Sequence, residues 1–180
     1  MSHIRAPKEA VVNLAVQVEP SSGTLPDVDY RWDPDTDILS CHLRPRAVGE
    51  GLSGAVELEG KDGSWLILDI ASGRINGVEI AVWPDVHKRP ALAPPAAIED
   101  ARVAVPVRRS ENGVASLEIN TNLVAEADNL ERVIHFRLGV TRETRTVRLG
   151  RDLLLDLDTQ NRIAGLWLLN VPPFPGNVDA

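Results

Sequence analysis

The chain states one pattern twice, and this constrains its fold more than any other feature. Leu66–Pro84 reads LILDIASGRINGVEIAVWP, and Leu153–Pro173 reads LLLDLDTQNRIAGLWLLNVPP. Earlier segments match in the same order: Leu14–Ser21 with Val103–Ser110, Asp29–Asp33 with Ser116–Asn120, and Ile38–Leu43 with Val133–Leu138. The offset is 87 to 89 at both ends and 95 in the middle, so the second copy carries about eight extra residues there. Each copy ends in prolines: Pro84, Pro90, Pro94 and Pro95 after the first, Pro172, Pro173 and Pro175 after the second. The pattern predicts two similar units, 1–90 and 91–180, joined by a proline-rich linker at about 84–98 and packed with pseudo-two-fold symmetry.

Within each copy the apolar spacing is mostly two, in short Val-, Ile- and Leu-rich runs bounded by Gly, Pro, Asp and Asn, which predicts strands. The expected class is mainly β. One short helix is expected over Asn122–Arg132, where Leu123, Ala127 and Leu130 fall on one helical face and Asn122 can cap. The quoted segments read as hairpins turning at Ser72-Gly73 and at Asp158–Asn161, with Asn161 in the left-handed role of Gly73. On the return strand, Val78, Ile80 and Val82 alternate with Glu79, Ala81 and Trp83. The second copy instead places Trp167, Leu169 and Val171 on the face that Glu79 opens to water. That face needs cover, from the first copy in a monomer or from a second chain in a homodimer, and intramolecular cover is the expectation.

The class of partner is bounded by charge. A net charge of −7 over 180 residues opposes nucleic acid as a general partner. No apolar run reaches the roughly 20 residues of a membrane-spanning helix. A single cysteine, Cys41, and an opening stretch holding His3, Arg5, Lys8 and Glu9 give a bacterial-type cytoplasm as the expected location.

The resemblance of VDYRWDPDTDILSCHL followed by LILDIASGRINGVEI is to a small bacterial family of unknown function. Its pattern is an aspartate-proline turn, a further aspartate and an apolar strand, then a glycine-arginine-isoleucine hairpin. Asp33, Pro34, Asp37, Gly73, Arg74, Ile75, Gly77, Val78, Glu79 and Ile80 carry it in the first copy, and Asp156, Asp158, Arg162, Ile163 and Gly165 in the second, where Asn161 and Trp167 depart from it. What the resemblance implies is a tandem of two such domains, with a role as the neutralising partner of a toxin. It implies no activity.

Candidate chemistry is sparse. Asp33, Asp35 and Asp37 have calcium-loop spacing, but Ile38 and Arg44 stand where such a loop needs glycine and glutamate, so a turn is expected and no metal. Gly49–Gly54 has dinucleotide-loop glycines without the flanking strand and helix, and no cofactor is expected. Cys41 and His42 point to opposite faces of a strand, His87 and His135 lie far apart, and no catalytic residue is assigned. Five arginines, Arg137, Arg142, Arg145, Arg148 and Arg151, form the candidate anion-binding set, against a charge-protected edge strand. The functional expectation is a non-catalytic protein-interaction or structural module. The alternative is a small-ligand or anion binder, or an enzyme, with its site in the crevice between the copies and using Asp69, Asp156 and Glu79.

Overall fold

A computed structural model describes residues 14–21, 23–106 and 114–175, with side chains from residue 120 in the last stretch. His3, and Val107–Ser110 of the matched segments, lie outside the described residues. The chain is all-β. Its strands are β1 (Gln17–Pro20), β2 (Asp27–Trp32), β3 (Leu39–Arg44), β4 (Ser53–Gly60), β5 (Trp65–Ala71), β6 (Arg74–Val82) and β7 (Val86–Lys88). There follow β8 (Ile98–Ala104), β9 (Val114–Thr121), β10 (Leu123–Ala127), β11 (Ile134–Leu138), β12 (Thr144–Gly150), β13 (Leu153–Asp158) and β14 (Ile163–Leu168).

The fourteen strands of the described residues join one sheet, running β7-β10-β11-β14-β13-β12-β8-β6-β5-β4-β9, with β3 also pairing β6, β2 pairing β3, and β1 pairing β8. Only Asn122 separates β9, at one end of this path, from β10, near the other, so the sheet curls back on itself. Two five-stranded stretches share one order: β2-β3-β6-β5-β4 in the first half and β10-β11-β14-β13-β12 in the second.

The two halves also exchange backbone hydrogen bonds. Val16 N donates to Asn161 O at 2.9 Å, and Val105 N donates to Gly73 O at 2.8 Å. Beside them Ala15 bridges Arg162 and Ala104 pairs with Arg74. The segment that leads into each half therefore ends on the hairpin turn of the other.

The expected helix over Asn122–Arg132 is absent; its first residues form β10. Leu123, Ala125 and Ala127 are buried while Val124 and Glu126 are half-exposed, a period of two that the adjacent β11 and β7 reward with backbone pairing. Leu130, the third residue of the expected helical face, is 76% exposed. In strand order β10 holds the position in the second half that β2 holds in the first, whereas Ser116–Asn120, the expected match of Asp29–Asp33, lies in β9 beside β4. The 95-residue offset that relates β3 to β11 thus extends to the strand before each.

One apolar cluster draws on both halves. Leu66, Leu68 and Ile70 of β5 and Leu153, Leu155 and Leu157 of β13 alternate into it, as do Leu39, Cys41 and Leu43 of β3 and Ile134, Phe136 and Leu138 of β11. At roughly 25 cal/mol per Å² of apolar surface, each fully buried Leu or Ile contributes about 1.5–3 kcal/mol. Tyr30 on β2 crosses to the second half, its hydroxyl donating to Leu169 O at 2.6 Å, and burial pushes its phenol well above the usual range.

The hairpins turn as their residues demand. Ser72 and Gly73 have φ of 51° and 75°, and Ala71 pairs with Arg74 across this two-residue loop, the mirror-image turn whose twist suits a hairpin. In the second hairpin Asp158 N donates to Arg162 O at 3.0 Å, closing a three-residue loop, Thr159–Asn161, with Asn161 in the left-handed region at φ 56°. Asp158 holds this loop: its Oδ1 accepts the amides of Gln160 and Arg162, and its Oδ2 accepts Nε of Arg142 and of Arg162.

Candidate functional site

An aromatic cleft opens at the seam, and a histidine–aspartate pair lies on the outward face of each half.

The cleft has a volume of about 550 Å³. The first half contributes Trp32 at the end of β2, Asp37 and Trp83; the segment between the halves contributes Val86 and Lys88; the second half contributes Leu130, Glu131, Ile134 and Pro172–Phe174. Trp32 and Trp83 stack with ring centroids 5.7 Å apart, Phe174 meets Trp32 edge-on at 5.2 Å, and Trp83 tilts onto Phe136 at 5.8 Å. Both indoles are held by hydrogen bonds, Trp32 Nε1 donating to Pro172 O at 2.9 Å and Trp83 Nε1 to Asp37 O at 2.8 Å. The rim is charged, with Lys88 and Glu131 paired at 2.6 Å. Val86 and Leu130 leave apolar surface open beside it.

Asp37 reaches this rim because Asp33–Asp37 is a turn. Asp33 Oδ1 accepts the Asp35 amide, Asp33 O accepts the Asp37 amide, and Asp37 has φ 61°. The Asp35 amide foremost, and then Thr36, hold the exposed Asp33 carboxyl below its ordinary range.

The outward pairs depend on two glycines. Side chains two strands apart in a sheet are separated by roughly 10 Å, so they meet only where the residue between them carries no side chain. Gly77 lies between His42 on β3 and Asp69 on β5, and His42 Nδ1 comes within 3.4 Å of Asp69 Oδ2. Gly165 on β14 lies beside His135 of β11 and Asp156 of β13, and His135 Nε2 is 2.8 Å from Asp156 Oδ2. A Cβ on Gly165 would sit 2.6 Å from that oxygen and 2.7 Å from Phe136 O; on Gly77 it would strike Cys41 O. Repeated glycines that read in sequence as hairpin pattern are therefore openings that let Asp and His meet.

The pairs differ in their surroundings. Asp69 also accepts from Arg46 at 3.0 Å and Asn76 at 3.2 Å; its carboxyl is held below its ordinary range, by His42 foremost, and Asp69 in turn raises the His42 imidazole. Glu79, an acid of the expected crevice site, is half-buried on the same strand as Gly77 and also raises His42. Asp156 is buried and accepts Thr146 Oγ1 at 2.6 Å and Trp167 Nε1 at 3.2 Å, while the His135 ring stacks on Trp167 at 4.0 Å. Thr146 donates to the aspartate and not to the histidine, so the cluster does not form the hydroxyl-to-imidazole relay of an activated nucleophile. Among the described residues no three His, Cys, Asp or Glu side chains gather as a metal site requires.

Trp167 is only 6% exposed within the single chain. His135 stacks on it, and it lines a cavity with Lys88–Ala93, a segment that spans the boundary between the two expected units. Val171 is buried and Leu169 half-buried.

The five expected arginines do not gather. Arg142, in the loop before β12, pairs with Asp158 at 2.9 Å and donates to the carbonyls of Leu138, Val140 and Ile163. Arg145 reaches Glu99 and Asn161, Arg151 pairs with Asp27, and Arg137 and Arg148 lie half-buried on β11 and β12. Nor is β12 an edge, since β13 and β8 flank it. The residues that sequence reasoning passed over are Trp32, Trp83 and Phe174; their signal was three aromatics, each next to or one residue from a proline or an Asp-Pro turn, in a chain with only seven aromatics.

No family model matches the chain, and no curated protein matches it in sequence. Among the described residues no helix is long and apolar enough to cross a membrane.

Proposed function

We propose that this chain is a non-catalytic protein-contact module, built by internal duplication of one β-unit, which takes an extended, proline-bearing peptide into the aromatic cleft at its seam. The observation that carries this reading is the contact already made there: Trp32 Nε1 donates to the carbonyl of Pro172 while Phe174 packs edge-on against the same indole. An indole donating to the backbone of a proline-rich segment, with aromatic walls receiving its side chains, is how aromatic grooves recognise such peptides. The resident Pro172-Pro173-Phe174 segment thus indicates the chemistry that the rest of the cleft accommodates.

The duplication with pseudo-two-fold packing is supported by the shared strand order and by the reciprocal bonds Val16–Asn161 and Val105–Gly73. A contact role is favoured over catalysis because, among the described residues, neither histidine–aspartate pair has a nucleophile held by the imidazole. Burial of Trp167 by its own chain supports a monomer over a homodimer. The cytoplasm remains the proposed location.

Tryptophan fluorescence tests this reading. Titrating the chain with a short synthetic peptide containing Pro-Pro-Phe-Pro should give a saturable change, and Phe174→Ala, which loosens the resident segment, should tighten binding. Absence of saturable binding to both proteins would reject the aromatic cleft as a peptide site.

A further inference from the structure

A second cavity opens at the seam, and its chemistry differs from that of the aromatic cleft. It encloses about 230 Å³. Its walls include Leu43 and Ile75 from the first half and Val103 and Leu149 from the second, all buried. Three arginines line it: Arg46 and Arg74 from the first half and Arg102 from β8. None of them belongs to the five arginines expected from the sequence to bind an anion.

Among the described residues only two carboxylates answer these three guanidinium groups. Glu19 accepts from Arg74 Nε at 3.0 Å, and Asp69 accepts from Arg46 NH1 at 3.0 Å. Glu19 lies opposite Arg102 in the β1–β8 register, yet its ion pair is with Arg74. Each of the two paired arginines uses one N–H in these pairs out of the five a guanidinium carries, which leaves Arg74 its terminal fork, the part suited to a bidentate oxyanion. A surplus of positive charge at the mouth of a cavity, in a protein of net charge −7, is a local inversion of the molecule's field.

The wall behind the arginines is rigid. Asn76 is 1% exposed, and both ends of its amide are engaged, Nδ2 donating to Asp69 and Oδ1 accepting the Ala47 amide at 3.1 Å. It therefore fixes the position of Arg46's partner and presents no competing carboxylate to the cavity.

We propose that this cavity binds a small amphiphilic anion, a carboxylate or phosphate monoester on a short apolar body. The anionic head meets Arg46, Arg74 and Arg102, and the body lies along Leu43, Ile75, Val103 and Leu149. A bare inorganic ion would leave the apolar walls unused, and the volume falls below the range of drug-sized ligands, which restricts the body to a short chain or a single ring.

Titration calorimetry on the full chain at low ionic strength tests this, with hexanoate, hexyl phosphate and inorganic phosphate as probes. The proposal expects one-to-one binding of hexanoate or hexyl phosphate with a Kd of about 1 mM or tighter, and inorganic phosphate at least about tenfold weaker. Arg102→Ala, on an exposed side chain outside both ion pairs, should weaken the bound probe by about tenfold, and Arg74→Lys, which keeps the charge and removes the fork, should weaken hexyl phosphate likewise. Circular dichroism confirms that each variant is folded; should Arg74→Lys unfold, Arg102→Ala decides alone. The proposal is overturned if neither organic probe binds, if inorganic phosphate binds as tightly, or if folded Arg102→Ala binds like the parent.

Discussion

Val16 donates its amide hydrogen to the carbonyl of Asn161, a residue of the opposite half held at φ 56°. The left-handed turn therefore closes the second hairpin and also receives the segment that leads into the first half. Glycine at 161 keeps that backbone geometry and loses only the exposed bond from Arg145. Asn161→Gly should lie within about 0.5 kcal/mol of the parent, whereas Asn161→Val should cost about 1 kcal/mol or more through its positive-φ penalty. Chemical denaturation midpoints check the order, and a valine variant as stable as the glycine variant would contradict the turn assignment.

The openings at Gly77 and Gly165 make a second prediction. Alanine at either position collides with backbone oxygen, Cys41 O or Phe136 O, and at Gly165 also with the Asp156 carboxylate. Each substitution should destabilise by about 1–3 kcal/mol, as overpacking does. In Gly165→Ala the His135 ring signals should shift as it separates from Asp156. Thermal melts matching the parent would show that the two side chains meet without needing the gap.

Much of the fold was legible because it is written in alternation. Leu66, Leu68 and Ile70 announce their strand, and the glycine and asparagine of the two turns announce their hairpins. What failed was local evidence carrying two periods at once. In Asn122–Arg132 the apolar residues offer a helical spacing through Leu123, Ala127 and Leu130 and a strand spacing through Leu123, Ala125 and Ala127, and only pairing with β11 and β7, partners distant in sequence, decides for the second. The site was less legible for the same reason. Trp32, Trp83 and Phe174 lie 51 and 91 residues apart in the chain, and Arg46, Arg74 and Arg102 are each 28 residues from the next, while the conspicuous run Arg137–Arg151 is dispersed by strand alternation and by ion pairs with separate acids.

Trp167 gives a third prediction. It is buried against His135, and its indole donates to Asp156. Trp167→Glu places a second carboxylate beside the first in a nearly closed site and should cost about 3 kcal/mol or more. Thermal unfolding and light scattering together check this. A variant that stays as stable as the parent but halves in mass would put Trp167 between two chains.

Acid stability follows from Asp158. Burial pushes its carboxyl up, but the amides of Arg162 and Gln160 and the guanidinium groups of Arg142 and Arg162 outweigh it and bring it down to about 2. A carboxyl depressed in the folded state stabilises it above the unfolded value of about 3.9, and that contribution is lost as pH falls from about 4 toward 2. Stability measured across this window should fall in the parent and fall less steeply in Asp158→Asn, which starts lower. Parallel slopes would show that Asp158 titrates as it does in the unfolded chain.

The most direct test of the contact role is a nitrogen-15 spectrum of the full chain titrated with the Pro-Pro-Phe-Pro peptide, followed at the four tryptophan indole N–H signals. The account predicts that the signals of Trp32 and Trp83, which stack at the cleft, move with saturation. Those of Trp65, on the outward face of β5, and Trp167, bonded to Asp156, should stay in place. Movement of Trp167 or Trp65 alone, or of no indole at saturating peptide, would contradict it.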